Sequence, residues 1–125
     1  MSPRLYVVQD DLFFAERVRA TARRLGLSLT SVTPAEASER GWDPGSVVVV
    51  QVTLNPDRQL ALIEQLSRAD PRPRIVAVSG HLETELRARA RALGALLAAH
   101  SSMERVLTRA MQAAGGGDDG RPNLH

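Results

Sequence analysis

The sequence predicts an α/β domain built on a parallel sheet, because short apolar runs alternate with longer amphipathic stretches along the chain. Five apolar runs have the length of strands, and each is followed by a stretch with helical periodicity. The third run, Val47 to Val50, is apolar on both faces, which is typical of a central strand that helices cover on both sides. Strands that alternate with helices pair in parallel through right-handed crossovers. We therefore expect a (βα)₅ doubly wound sheet with strand order 2-1-3-4-5, a flavodoxin-like arrangement.

The predicted elements follow one another without a leftover strand. In chain order they are strand 5–8, helix 12–25, strand 27–32, helix 34–41, strand 46–52, helix 57–68, strand 74–78, helix 82–93, strand 96–99 and a last helix, capped by Ser101 or Ser102, to residue 114. The second helix has the clearest start, because Thr33, Pro34 and Glu36 form a capping-box pattern with proline in the first turn. Gly26 and Gly94 are expected to end helices.

Length and composition predict one domain. The chain has 125 residues, of which 43% are hydrophobic and 24% charged, and these are ordinary values for a globular domain. We expect a single domain over residues 1–114 and a disordered tail over residues 115–125, which are rich in glycine and aspartate. The longest apolar run is too short for a membrane span, and no signal-peptide pattern opens the chain. We therefore expect a cytoplasmic protein without membrane contact.

The absence of lysine and cysteine excludes several chemistries. All 16 basic residues are arginine, so no lysine is available to bind a phosphate or to form a Schiff base. No cysteine is available as a nucleophile, a metal ligand or a disulfide partner. His81, His100 and His125 are too far apart in sequence to suggest a metal site. The isoelectric point of about 10.3 reflects the missing lysines rather than a strong positive charge, because the formal net charge is only +2.

Polar side chains follow the strands at the edge where sheets of this kind bind their ligands. Parallel strands bring their carboxyl ends to one edge, so residues far apart in sequence are expected to meet there. The residues that form this candidate site are Gln9, Asp10, Asp11, Gln51, Thr53, Ser79 and His100.

The segments around these strand ends resemble a known family. In chain order they are "YVVQDD", "VVVVQVTLNP", "VAVSG" and "ALGALLAAHSS", and an amphipathic helix follows the last one. Their order and spacing resemble the receiver domain of two-component response regulators over residues 4–114. The resemblance implies the fold predicted above and a place in signal transduction.

The resemblance also implies a phosphoryl-transfer site, from which this chain departs. In receivers an aspartate after strand 3 accepts the phosphoryl group, acidic residues after strand 1 hold Mg²⁺, and a hydroxyl residue and a lysine bind the acyl phosphate. Here Gln51 stands at the position of the accepting aspartate, and Gln9 stands at the first acidic position. The lysine position falls on His100 or Ser101, and the chain has no lysine to fill it.

Two positions match the family pattern, and each also has a simpler interpretation. Asp10 matches the second acidic position, but Asp10 or Asp11 could instead cap the following helix, or retain weak cation binding. Ser79 matches the hydroxyl position, but it could instead satisfy backbone groups of its loop. Gln51 is expected to form hydrogen bonds inside the former pocket. His100 is either a switch that titrates near neutral pH or an ordinary histidine.

These departures predict a pseudo-receiver. A carboxamide cannot form an acyl phosphate, so we expect no enzymatic activity, no cofactor and no metal, and a role in signal transduction through protein contacts that does not depend on phosphorylation. Two alternatives are a nucleic-acid-associated regulator that uses surface arginines, and a sensor that binds a small ligand in the vacated pocket. The aromatic content of 3% argues against nucleic-acid binding.

The surface that would contact a partner is inferred from arginine spacing and from the resemblance. In receivers the face of helix 4, strand 5 and helix 5 mediates dimerisation or output contacts, and the resemblance implies a homodimer or another protein partner there. Arg87 with Arg91, and Arg105 with Arg109, repeat at i,i+4 on the two helices of this face. Glu83 can pair with Arg87. The alternative is a face of solvated arginines with no partner.

Overall fold

The computed structural model describes residues 4–116, and they form five strands that alternate with five α-helices. The elements are β1 (Leu5–Val8), α1 (Leu12–Arg24), β2 (Leu29–Val32), α2 (Pro34–Glu39), β3 (Val47–Gln51), α3 (Pro56–Ser67), β4 (Arg74–Val78), α4 (Thr84–Ala92), β5 (Leu96–Ala98), a 3₁₀ turn (His100–Ser102) and α5 (Met103–Gly116).

The strands form one parallel sheet with the order β2-β1-β3-β4-β5. This confirms the predicted fold class and strand order. From β1 the chain first adds β2 on one side, and it then adds β3 on the other side. The carboxyl ends of β1 and β3 therefore lie side by side at the switch point.

Two apolar layers cover the sheet. Side chains of β3 alternate between them, with Val47 and Val49 on one face and Val48 and Val50 on the other. Helices α1 and α5 pack on the first face, and α2, α3 and α4 pack on the second. The continuous valine run is therefore explained by burial on both faces.

The first helix ends earlier than predicted, and the second strand begins later. Gly26 adopts a positive φ of 71°, and the N–H groups of Gly26 and Leu27 donate to the carbonyls of Arg23 and Ala22. This is a Schellman motif, which uses the N–H of Leu27 to close the helix. Leu27 therefore cannot begin the strand ladder, and β2 starts at Leu29.

Other boundaries differ by one or two residues. The fourth helix begins at Thr84 rather than at Leu82, because the chain before it turns over the carboxyl edge of the sheet, where the side chain of Glu83 accepts hydrogen bonds from that loop. The last helix continues to Gly116, two residues beyond the predicted end of the domain. The rest of the predicted tail, residues 117–125, lies outside the described residues.

The only tryptophan covers the second apolar layer. Trp42 is buried and meets the Tyr6 ring edge-to-face, with the ring centroids 5.1 Å apart. The Arg40 guanidinium lies 4.5 Å from the Tyr6 ring and 4.6 Å from the Trp42 ring, which are cation–π distances. Among residues 4–116, no helix combines the length and the apolar character that crossing a membrane requires.

Candidate functional site at the carboxyl edge of the sheet

The structure brings the end of β1 to this edge with its two acidic residues in different roles. Asp11 is the N-cap of α1, and its Oδ1 accepts a hydrogen bond of 3.2 Å from the N–H of Phe13. The Asp10 side chain is completely buried, and its Oδ2 lies 3.8 Å from Nη2 of Arg58 on α3. Gln9 is half-buried and continues the ladder, with its N–H donating to Val32. The capping role therefore belongs to Asp11, which leaves Asp10 free to face the edge.

Gln51 is the last residue of β3 and is 8% exposed. Its backbone carbonyl accepts a hydrogen bond of 3.0 Å from Nε2 of Gln59, a fully buried residue of α3. This bond fixes α3 against the end of β3 through an amide, and it fixes the orientation of the Gln59 carboxamide.

The Ser79 hydroxyl accepts a hydrogen bond from an arginine. Ser79 is buried after β4, and its Oγ accepts from Nη1 of Arg87 at 3.3 Å. Arg87 was predicted as a residue of the partner surface, and its half-buried side chain also reaches the candidate site. It forms no ion pair with Glu83, because Glu83 is engaged elsewhere at this edge.

A second link joins the loops after β3 and β4. Thr53 donates from Oγ1 to Oε1 of Glu83 at 2.8 Å, and the N–H of Gly80 donates to the same oxygen at 2.6 Å. The carboxylate of Glu83 therefore holds both loops together in front of α4. Thr53 itself is exposed, so this link lies at the outer rim of the site.

No polar side chain follows β5 directly. The strand ends at Ala98, and the next residue is Ala99. His100 lies one position further in the 3₁₀ turn and is exposed overall, with its ring 6.3 Å from the ring of Phe14. Burial of one side of the ring, and secondly the positive charge of Arg17, lower the pKa of His100 below its ordinary value of 6.5. The structure therefore places His100 beside α1, at the margin of the site.

Buried side-chain atoms without a hydrogen-bond partner concentrate at this edge. Within residues 4–116 there are four of them, Oδ1 and Oδ2 of Asp10, Oε1 of Gln51 and Oε1 of Gln59. All four are acceptors. Such atoms are rare in native interiors, because each one loses its hydrogen bonds to water on burial. None of the four therefore accepts a hydrogen bond from a protein donor, and Oδ2 of Asp10 has only the ionic contact with Arg58.

The arginines of the predicted contact surface differ in exposure and in their contacts. Arg91, Arg105 and Arg109 are exposed, and none of them lies within 4 Å of an acidic side chain of the described residues. Arg105 and Arg109 line one groove on α5 with Ser101, Glu104, Thr108 and Gln112. Arg87 is half-buried and contacts Ser79.

Arg58, Gln59 and Glu83 belong to the site but were not found from the sequence. They lie on or directly before helices that follow β3 and β4, where charged and amide side chains are common. Their position after the carboxyl ends of β3 and β4 was the only available signal, and many surface residues share it.

The fold of this chain is that of response-regulator receiver domains. It matches a response regulator from Thermotoga maritima with a TM-score of 0.70 and 16% identity, over 90% of this chain and 99% of the other. It matches the receiver domain of a sensor histidine kinase from Pseudomonas aeruginosa, with a magnesium ion coordinated in the active-site cleft of that protein, with a TM-score of 0.68 and 17% identity, over 93% and 98% of the two chains. A response regulator from Colwellia psychrerythraea gives a TM-score of 0.67 at 12% identity, over 87% and 96%. No family model and no curated protein matches the sequence.

The side chains of this chain do not fit a magnesium ion such as the one that the Pseudomonas aeruginosa receiver domain coordinates. Asp10 offers carboxylate oxygens and Gln51 an amide oxygen, but Gln9 and Gln51 carry no charge and Asp10 already faces a guanidinium. The Arg58 guanidinium would repel a magnesium ion bound at these oxygens. Two unit charges of the same sign about 4 Å apart repel by about 4 kcal/mol at an effective dielectric constant of about 20, and by less where water screens the exposed half of Arg58. Within the described residues no three histidine, aspartate or glutamate side chains group closely enough to hold a metal ion.

Proposed function

We propose that the protein is a pseudo-receiver, a signal-transduction module that acts through protein contacts and does not depend on phosphorylation. The observation that carries this proposal is Gln51. It lies buried at the end of β3 in a receiver fold, and its carboxamide has no anionic oxygen with which to attack a phosphoryl group. Glu83 and Asp57 offer no substitute at the end of β3, since Glu83 is held by Thr53 and Gly80, and Asp57 is exposed on α3.

The rest of the edge supports the same proposal. The Ser79 hydroxyl accepts from Arg87, and Ala99 follows β5 with no group that could pair with an acyl phosphate. Phosphoryl transfer depends on positioned charges around the transferring group, and three of them are absent here: a carboxylate at residue 9, a carboxylate at residue 51 and a lysine after β5. The fold is retained while the chemistry is not.

The phosphorylation test is an intact-mass measurement after incubation with acetyl phosphate and Mg²⁺. The expected result is no added phosphoryl mass on the wild type, and none on Gln51→Asp, because that variant still lacks the carboxylate at residue 9 and a cation after β5. A receiver with an intact site serves as the positive control. An acid-labile phosphoryl adduct on the wild type would contradict the proposal.

The contact surface that we propose is the exposed arginine group on α4 and α5, namely Arg91, Arg105 and Arg109. Arginines that form no ion pair within the described residues are available for carboxylates of a partner or of a second copy of the chain. Light scattering after size exclusion measures self-association, and capture from the native lysate measures other partners.

Charge reversal makes this test specific. Arg105→Glu with Arg109→Glu is expected to abolish whichever association the wild type shows. The matched control is Arg72→Glu with Arg74→Glu, because these arginines are also exposed but lie at the opposite end of the sheet. Equal association by both double variants would rule out the α5 surface.

A further inference from the structure

Arg58 reaches the buried end of β1 from the first turn of α3. Its Nη2 lies 3.8 Å from Oδ2 of Asp10, whose side chain has no exposed surface, while the Arg58 side chain remains 54% exposed. The guanidinium therefore covers the carboxylate from the solvent side. The 3.8 Å separation is an ionic contact rather than a hydrogen bond, and this is why both Asp10 oxygens lack a hydrogen-bond donor.

The buried carboxylate of Asp10 has one ion-pair partner within 4 Å among the described residues, and this partner is Arg58. Gln9 and Gln51 are neutral, and Asp11 is turned away to cap α1. Asp10 is therefore the one buried carboxylate among the described residues at this edge, and Arg58 is the nearest cation to it. A buried carboxylate without a counter-ion would be strongly unfavourable.

We propose that the Arg58 guanidinium is the resident cation of this edge, neutralising Asp10 in place of a divalent metal and excluding such a metal from the site. A divalent ion at the Asp10 and Gln51 oxygens would have to displace Arg58 or remain beside it. The pairing also ties the start of α3 to the end of β1 without any external ligand. This inference concerns the metal, so it stands or falls separately from the absence of phosphorylation.

The direct test is a titration with Mn²⁺ followed by electron paramagnetic resonance, which reports the free ion. The wild type is expected to bind Mn²⁺ no more tightly than the millimolar range. Arg58→Met is expected to bind it at least fivefold more tightly, because the Asp10 carboxylate becomes available, whereas Arg58→Lys is expected to behave as the wild type. The matched control is Arg68→Met, which removes an exposed arginine from the other end of α3.

A double-mutant cycle between Asp10 and Arg58 gives a second readout that needs no metal. Unfolding in urea is followed through the buried Trp42 for the wild type, Asp10→Asn, Arg58→Met and the double variant. We expect the double variant to lose less stability than the sum of the single variants, by at least fivefold in the unfolding equilibrium constant. Additive losses, a submillimolar Mn²⁺ affinity of the wild type, or equal affinities of the wild type and Arg58→Met would each overturn the proposal. A phosphoryl adduct without any change in these results would contradict the proposed function alone.

Discussion

The interior of the sheet is filled by apolar side chains, whereas its carboxyl edge contains buried polar groups. In the interior, all residues of β1 and β3 are buried, and the valines of β3 alternate between two well-filled apolar layers. At the edge, three of the described residues contribute four buried acceptors that lack a protein donor, and a guanidinium lies beside the buried carboxylate of Asp10. The large hydrophobic side chains that are exposed among the described residues also follow strand ends; they are Leu12, Phe13, Leu54 and Leu82.

This difference distinguishes the residues that stabilise the fold from the residues of the candidate site. Sequences that specify a structure are locally consistent, and departures from that consistency concentrate at functional sites. The interior buries both faces of the central strands, so it supplies the larger part of the stabilisation expected from apolar burial. The edge holds four buried acceptors without a protein donor, and one ionic contact. We therefore expect interior substitutions to affect stability strongly and edge substitutions to affect it weakly.

The largest effect is expected from the interior. Phe14 is 1% exposed on the inner face of α1, so Phe14→Ala should lower the free energy of unfolding by about 3–5 kcal/mol through lost burial and a cavity. Urea unfolding followed by Trp42 fluorescence measures it. Leu82→Ala at the exposed edge is the control and should change the value by less than about 0.5 kcal/mol. Comparable losses in both variants would remove the distinction between the two regions.

The next effect concerns Gln51. Gln51→Asp adds a second carboxylate to an edge that already holds buried Asp10, and it should destabilise the fold by about 1–3 kcal/mol at neutral pH. Gln51→Leu removes an unpartnered acceptor and should be close to neutral. The same urea measurement compares the two variants. If Gln51→Asp is as stable as Gln51→Leu, the edge holds more positive charge than Arg58 and Arg87 supply.

A smaller effect is expected at the link between the two loops. Glu83→Gln weakens the contacts with Thr53 and with the N–H of Gly80, and the loss should be about 1 kcal/mol or less because the link is at the surface. Hydrogen exchange of the Gly80 amide should become faster, while amides of β4 should not change. Unchanged exchange at Gly80 would show that the link does not hold the loop.

The fold could be predicted from the sequence because its signals are local and repeated. Valine runs, the capping box at Thr33 and the glycines at helix ends each indicate one element, and five alternating units favour the order 2-1-3-4-5. The capping box is present as predicted, with Thr33 and Glu36 exchanging hydrogen bonds. The start of β2 differs from the prediction because the N–H of Leu27 donates to a carbonyl of the preceding helix.

The site could be predicted only at the level of strand ends. The sequence located Asp10, Gln51 and Ser79, but not the side chains that contact them, since Arg58 and Arg87 come from helices whose rotation is set by packing. Arg87 illustrates the difficulty: its i,i+4 relation to Arg91 suggested a shared surface, and nothing in the sequence indicated its contact with Ser79. Long side chains can reach several neighbours, and spacing does not decide among them.

The smallest effect concerns His100. Its pKa is lowered, mainly by burial and secondly by Arg17, so the folded chain binds the proton less readily than the unfolded chain. Stability is therefore fully present above the ordinary pKa of 6.5 and decreases as the pH falls from there through the lowered pKa. His100→Asn should flatten this part of the stability profile, and His81→Asn is the control. An unchanged profile in His100→Asn would contradict the assignment.

The central claim is that the edge no longer responds to metal and phosphoryl groups. It is tested most directly by recording amide NMR spectra of the wild-type chain with Mg²⁺ and beryllofluoride, a stable mimic of a phosphoryl group, against a matched salt control. We predict that the amides of Asp10, Gln51 and Ser79 do not shift beyond the control. Saturable shifts that cluster at these residues would contradict the account.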